Sequence, residues 1–592
     1  MPRIKLRIER EFDADVLVVG GGAAASRAAV AAANAGARTI VALKGKLGQS
    51  GASNYPGGGS SWQASDGCGG PDDSPEAHYQ DIMVAALGTA DARLAWIYAH
   101  ESPERMRELE TWGFILRKDP TGQHPHFTGY ACFGTQPRAH GMIGEKESGH
   151  TGNMIPTLKR QILARGATVH EHTSIIDLLV QDGACVGALA LNDDGDFIVY
   201  HVGAVILATG GASQMYPLSS TPGEITGDGY AMAFRAGAEL VNMEFMQYMV
   251  RGIAGRGPNI GGQFWALHPT IRNGLGEDVL PRYLPPGATA EQAMEDRMLH
   301  WPFSSRDASR ALDIAIATEV REGRTTSRGG VVIDFSDVDI RHVKRPRPDH
   351  HPAPAEMTLG DPQIEVTHSA HAINGGIRID EWGRSTIPGL FAAGETTAGP
   401  HGADRLGGGM LSQCNVFGAR AGQRAAEYAR SVERRGLAHA ALDALEGRIA
   451  AFGQADRADW FEIRKSLKSL CAEHLQVIRN APGLERLLTE LASLRFGALP
   501  EAAVPDTRTL LRVLENDDLL LTAEIMARAA LLRDESRGSH YREDNPTQDD
   551  AHWAKSIFWR NQNDKPVAVL GKYREDPDAK EQVTWPSETS LG

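Results

Sequence analysis

"DADVLVVGGGAAASRAAVAAANAGARTIVALK" runs from Asp13 to Lys44. Val16 to Val19 is a continuous apolar run, as in a parallel strand buried on both faces, and it ends in Gly20-Gly21-Gly22-Ala23-Ala24-Ala25, which fits G-x-G-x-x-A. The spacing predicts an Ala-rich helix of about four turns, stopped at Gly36, and a second strand at Thr39 to Leu43. Gly20 makes the tight turn, and Gly22 lets a pyrophosphate approach the backbone. Ala25 permits close helix packing, and the helix N-terminus offers free N–H groups to phosphates. Strand, fingerprint, helix and strand in this order point to an α/β dinucleotide-binding unit. The second strand ends at Leu43-Lys44 without an Asp or Glu for ribose hydroxyls, which leaves that contact unassigned.

Two more strand-to-glycine junctions lie downstream. "VGAVILATGG" (202–211) ends in Gly210-Gly211, and "GLFAAGE" (389–395) ends in Gly394-Glu395. A one-domain nicotinamide enzyme needs neither. A flavin-binding doubly wound domain, interrupted by an inserted domain and resumed near residue 360, needs both.

Composition narrows the class. The chain has 592 residues, a net charge of -14, 42% hydrophobic and 23% charged content, enough apolar material for two or three packed domains. The acidic balance, without a Lys/Arg tract, disfavours nucleic acid and anionic membrane, which are bound through clustered positive charge. Cys68, Cys132, Cys185, Cys414 and Cys471 form no Cys-x-x-Cys pair, against a disulfide framework or iron–sulfur ligation within this chain. The charged start "MPRIKLRIEREFDAD" is unlike a signal peptide, and no apolar run is long enough to span a bilayer, so a cytoplasmic protein is expected. Helical spacing and the stops at Gly436 and Pro482 predict helices from about 426, while "RPRPDHHPAPAE" (345–356) predicts an extended crossing, with His350 and His351 exposed.

"THSAHAINGGI" (367–377) places two histidines three apart before a Gly-Gly pair. Locally, His368 and His371 read as metal ligands, as a general base with a neighbour, or as surface residues near a turn. No third His, Cys or Glu stands at ligand spacing, so metal ligation is the weaker reading.

Taken together, "VLVVGGGAAASRAA", "VILATGG", "TGDGYAMAFRAGAELVNMEFMQ", "SRDASRA", "HAINGGI", "PGLFAAGE", "HGADRLGGGMLSQ" and "DESRGSHYREDNPTQDDAHW" resemble the flavoprotein subunits of succinate dehydrogenase and fumarate reductase, whose relatives include L-aspartate oxidase and the α subunit of adenylylsulfate reductase. The resemblance implies an α/β fold: a Rossmann-like FAD-binding domain (1–240 and 355–425), an inserted α+β capping domain (241–354), a C-terminal helical domain (426–545) and a tail (546–592). It implies that Gly20, Gly22, Ala25, Lys44, Ser50, Gly51, Gly210, Asp228, Glu395, Gly409 and Leu411 bind FAD. Glu395 is expected at the ribityl chain, and the helix after Gly407–Gly409 is expected at the pyrimidine edge. His371 and Arg405 resemble a clamp on a substrate carboxylate, Arg405 as a bidentate donor. The Gly375-Gly376 pair is expected to pass beneath flavin or substrate, and His368 to be a supporting or structural residue. Arg306 resembles the capping-domain arginine that carries a proton to or from the carbon beside the one exchanging hydride, with Arg310 as runner-up.

Three departures qualify the resemblance. Gly51 stands where respiratory members attach flavin through a histidine, so noncovalent FAD is expected. Met249 in "MEFMQYMVRG" stands where the family has a histidine for the substrate's other carboxylate, and His268 in "HPT" (268–270) either returns a histidine to the pocket or is structural. Phe264 and Trp265 either line a pocket for a larger substrate or belong to the cap core. The implied activity is FAD-dependent hydride transfer in C=C reduction, or the reverse dehydrogenation, of a small anionic, carboxylate-bearing substrate. The alternatives are a flavoenzyme like the α subunit of adenylylsulfate reductase, and a flavin electron-transfer subunit without its own substrate. The resemblance further implies a separate electron-transfer subunit of iron–sulfur or ferredoxin-like type, and it admits an oligomer.

Overall fold

The computed structural model describes residues 5–54, 61–65, 72–116, 133–136, 138–144, 153–253, 257–338, 362–433, 439–455, 457–578 and 583–584. Cys68, Cys132, His350, His351 and the Pro-rich stretch lie outside the described residues.

The Asp13–Lys44 stretch forms the strand Ile8–Val19, the helix Ala23–Asn34 and the strand Thr39–Ala42. In the main sheet, Ile8–Val19 lies between Thr39–Ala42 and Phe197–Leu207, all parallel, with Val16 opposite Thr39 on one side and Ala204 on the other. Leu390–Ala392 adds a parallel partner to the end of Phe197–Leu207, while Thr173–Gln181 and Ala184–Asn192 extend its first half as an antiparallel hairpin. The glycines that end the three apolar runs therefore gather at the carboxyl ends of adjacent parallel strands, where open α/β sheets bind ligands.

The helix Gly409–Ser431 packs on Ala23–Asn34 so closely that a Cβ on Gly418 would meet Ala24 O at 2.8 Å, and one on Gly422 would meet Ala28 O at 2.2 Å. Small residues on both helices permit this approach.

The capping region is built on a four-stranded antiparallel sheet in the order Met246–Gly252, Gln363–Ile373, Val331–Asp334, Thr270–Arg272. Gln363–Ile373 comes from beyond residue 355 yet pairs with strands from the 241–354 interval on both sides, so this one strand ties the cap to the resumed flavin domain. Trp265, Phe264, Ile271, Leu312, Ile316 and Ile333 fill the cap's own core. Phe264 and Trp265 are thus core aromatics and not the lining of a larger substrate pocket, because hydrophobic packing beneath the sheet claims them.

The helices Trp460–His474, Ala481–Ala492 and Thr507–Leu532 follow. The segment expected as a tail carries the hairpin Ser556–Gln562 and Lys565–Tyr573, which pairs with Leu240–Val241 in a six-stranded sheet. Its Phe558 and Tyr573 are buried with Val241 and Ala398, so apolar side chains at alternate positions give this segment a face to bury. The charged motif near the end is interior. Arg533, Arg537 and Arg542 are buried against Glu244, Glu535 and Asp544, with Glu244 supplied by the "MEF" stretch. Among the described residues no helix is long and apolar enough to cross a membrane.

Candidate active site

The dinucleotide cradle has the geometry its residues require. Gly20 has φ +120°, and a Cβ there would stand 2.3 Å from Ala208 O, so the turn tolerates only glycine. Gly22 is open, with only Ser53 Oγ at 3.4 Å from a built Cβ, and Ser53 also accepts from Ala23 N at 3.1 Å. Ala25 is buried beneath it. Gly51 (φ +89°) stands 3.7 Å from the Gly22 backbone by the same measure, whereas the half-buried Ser50 donates to Lys46 O at 2.8 Å. Lys44 Nζ donates to Thr226 Oγ1 (2.6 Å) and pairs with Asp228 (3.3 Å) and Glu515 (3.1 Å). Burial works against the Lys44 charge, but Asp228 and Glu515 outweigh it and raise its pKa. The missing ribose acid is therefore replaced locally by a basic residue locked to Asp228.

Glu395 follows the strand Leu390–Ala392 and presses on the neighbouring strand end, where a Cβ on Gly211 would lie 2.3 Å from its Oε1. It accepts from Ile373 N at 3.2 Å, and burial pushes its carboxyl up to about 7. Gly210 (φ +79°) makes the adjoining turn. Gly408 (φ +77°) turns the chain into the helix at Gly409, with Leu411 buried in its first turn. Around that start the buried His401 Nε2, Tyr98 hydroxyl and Gln413 Oε1 have no hydrogen-bond partner among the described residues. A Cβ on Gly409 would stand 2.8 Å from the Tyr98 hydroxyl and 3.5 Å from His401 Cε1. Orphaned polar atoms and a bare helix N-terminus suit the polar edge of a flavin ring.

The candidate substrate residues form two sets of contacts that start from the consecutive residues Asp404 and Arg405. Arg405 is buried, donates from Nε to Gln247 Oε1 at 3.2 Å, and brings Nη2 to 3.5 Å from His371 Nε2. Ser220 Oγ lies 3.0 Å from His371 Nδ1. A guanidinium only donates, so Nε2 is the acceptor and Nδ1 carries the proton toward Ser220. Burial, reinforced by the Arg405 charge, lowers the His371 pKa to about 3, so the ring is neutral at ordinary pH. Asp404, one residue before Arg405, turns the other way. Its Oδ2 accepts from Arg306 Nε (3.1 Å), Arg306 Nη2 (2.9 Å) and Ser304 Oγ (2.8 Å). The Arg306 guanidinium also covers the Phe133 ring at 4.3 Å and donates to Ala85 O at 3.0 Å. Arg310 bonds only the nearby Ser305 O at 3.1 Å among the hydrogen bonds of the described residues.

Other expected residues are placed differently. His368 is buried and meets Asp313 at 3.0 Å, and Asp313 also pairs with the buried Arg297, so His368 braces the cap. Gly375 and Gly376 do avoid collisions, but with backbone: built Cβ atoms would meet Asn242 O at 2.1 Å and Thr396 O at 2.6 Å. Met249 is buried opposite Ser369. His268 is exposed with φ +50°, and among the described residues its ring bonds to none of His371, Arg405 and Arg306. Among the described residues no group of three or more His, Cys, Asp or Glu could hold a metal. The sequence alone does not assign Ser220, Gln247, Ser304 or Asp404 to the site. Asp404 stands inside the quoted "HGADR", where its neighbour Arg405 is the local partner to expect. The serines carry no signal of their own.

Residues 15–411 match the family described as FAD binding domain, and residues 464–584 match the fumarate reductase flavoprotein C-terminal family. The chain belongs to the fumarate reductase/succinate dehydrogenase flavoprotein family. It is similar to a fumarate reductase (CoM/CoB) subunit of Methanothermobacter marburgensis, 33% identical over 92% of this chain and 97% of that protein. Among solved structures it resembles Mycobacterium smegmatis Sdh1 in complex with UQ1, with a TM-score of 0.82, 28% identity and 96% of each chain covered. Adenylylsulfate reductase from Archaeoglobus fulgidus, with a TM-score of 0.69, 20% identity and 97% of each chain covered, shares the fold. The chain is accordingly an FAD-dependent oxidoreductase of the fumarate reductase/succinate dehydrogenase type, with the Rossmann-like domain, cap and helical domain of that family.

Proposed function

We propose that this flavoprotein reduces the C=C bond of a small unsaturated carboxylate, or runs the reverse dehydrogenation, with Arg306, His371 and Arg405 as its working side chains. The supporting observation is that Arg306 of the cap pairs with Asp404, while the next residue along the chain, Arg405, reaches His371. FAD, when bound, would exchange the hydride, giving it in its reduced form for C=C reduction and taking it in its oxidised form for dehydrogenation. Arg405 and the neutral His371 hold the carboxylate, one by charge and fork geometry, the other as a ring oriented by Ser220. Arg306, held by Asp404, moves the proton at the neighbouring carbon. The fumarate reductase name of the relative supports an acid of this class. Met249 contributes apolar surface beside the clamp, and the exposed His268 stays outside it.

FAD is held noncovalently in this reading, since Gly51 offers no nucleophile. Acid denaturation should release all the flavin into the supernatant, and colour retained by the precipitate would sink this reading. Electrons pass between the flavin and a separate iron–sulfur or ferredoxin-like subunit, toward the flavin for C=C reduction and away from it for dehydrogenation, and the subunit names of the relatives support such a partner. The unpaired thiols of Cys185, Cys414 and Cys471 fit a cytoplasmic setting.

The decisive experiment is single-turnover stopped flow on Arg306→Lys. Flavin content and anion affinity should persist while turnover falls by roughly three orders of magnitude or more, because lysine lacks the guanidinium fork and its reach. A near-native rate would transfer the proton role to Arg310.

A further inference from the structure

Tyr98 lies on the helix Ala92–Thr111, which Asp91 caps by accepting from Arg93 N at 2.8 Å and Leu94 N at 3.2 Å. Arg574, from the C-terminal segment, donates to the same Asp91 oxygen at 2.9 Å and holds that cap in place. Leu94 and Tyr98 stand one turn apart and share a face of the helix. Leu94 packs on Gly399, and Tyr98 packs on Gly409, where a Cβ would stand 2.8 Å from its hydroxyl. The helix Ala92–Thr111 thus delivers a phenol to the first residue of the helix Gly409–Ser431.

Tyr98 is fully buried, and its hydroxyl has no hydrogen-bond partner among the described residues. His78 and His401 meet its ring edge to face at 5.1 and 5.7 Å, which orients the ring without engaging the hydroxyl. Burial raises the Tyr98 pKa against the Arg405 charge and the nearby Ser412 hydroxyl, so the group is a neutral O–H donor. Both imidazoles are neutral as well, held so by burial and then by the charges of Arg138 and Arg405. An O–H left unmatched in the interior is costly, which points to an acceptor that binds beside Gly409. Reduction places negative charge on the N1 and O2 edge of a flavin, the edge expected at this helix start. We propose that the Tyr98 hydroxyl donates to that edge and, by holding the reduced ring more strongly than the oxidised one, raises the midpoint potential of the flavin. The helix N-terminus supplies diffuse positive charge there, and Tyr98 adds one directed bond. The inference depends on the FAD site and not on which acid the enzyme reduces.

The test measures the midpoint potential of the FAD-loaded full chain by reduction against a reference dye. Tyr98→Phe keeps the ring between the two histidines and removes only the donor. Its flavin content should match the unaltered protein, while its preference for reduced over oxidised FAD falls about tenfold or more, a drop of about 30 mV or more for a two-electron couple. Uniform replacement of tyrosine by 3-fluorotyrosine gives a more acidic phenol in the same side-chain frame. It should raise the potential of the unaltered sequence and leave that of Tyr98→Phe unmoved. A native potential in Tyr98→Phe overturns the proposal, as does a fluorotyrosine shift that persists in that variant, since it would belong to another tyrosine. If Tyr98→Phe does not hold FAD, the fluorinated unaltered sequence decides alone: a raised potential supports the bond, and an unchanged one overturns it.

Discussion

Asp404 spends one carboxylate oxygen on both Ser304 and Arg306, while its other oxygen, Oδ1, is buried without a partner among the described residues. Burial raises its pKa, and Arg306 exerts the largest opposing pull. Asp404→Ala should leave Arg306 without its carboxylate partner. Removing one member of such a pair costs about 3 to 5 kcal/mol, and equilibrium denaturant unfolding should show a loss of that size together with slowed turnover. Asp404→Asn keeps the shape but not the charge, so it should fall between the two. At this scale the sequence marked His371, Arg405 and Arg306, because they stand in motifs that resemble a family's. It passed over Ser220, Ser304 and Gln247, since a serine or glutamine that positions another group has no spacing of its own to announce it.

Among the elements, the junction of the helices Ala23–Asn34 and Gly409–Ser431 holds the dinucleotide turn against the helix start expected at the flavin ring. Gly422→Val would force a side chain into Ala28 O, and overpacking there should cost about 3 kcal/mol and lower the flavin content of the purified protein. Gly447 in the helix His439–Ala450 provides the contrast, because a Cβ built on it meets nothing within 4 Å. Gly447→Ala should raise stability by about 0.5 to 1 kcal/mol, read as a higher thermal midpoint with unchanged flavin content. Both glycines lie at helical spacing in Ala-rich sequence. Only the packing partner separates them.

Across the whole molecule, charge is buried where domains meet. Asp177, Asp517 and Asp518 share Arg235, Arg448 and Arg495, which ties the helix Thr507–Leu532 to the flavin sheet. Four imidazoles, His78, His371, His401 and His540, are held well below their ordinary pKa, first by burial and then by nearby arginines or other cations. A folded state that refuses protons the unfolded chain accepts at a pKa of about 6.5 loses stability as pH falls below that value. Each such group should contribute a slope of about 1.4 kcal/mol per pH unit, so the thermal midpoint should drop steeply from pH 6.5 toward 4.5. His78→Gln should lessen that slope by about one proton's worth; an unchanged slope would mean that His78 is protonated in the native protein.

The sequence by itself determined the Rossmann-like core, because a buried apolar run and a glycine-constrained turn are local requirements written in consecutive residues. It likewise marked His371, Arg405 and Arg306 through motifs that resemble a family. Only the tertiary structure decided that Arg306 bonds to Asp404, that His368 braces Asp313 and not a ligand, and that the C-terminal segment closes a sheet. Each of these depends on which residue arrives from far along the chain to share a buried volume, and burial sets the cost of leaving a charge or hydrogen-bonding group unmatched. Spacing within a segment carries no record of that meeting.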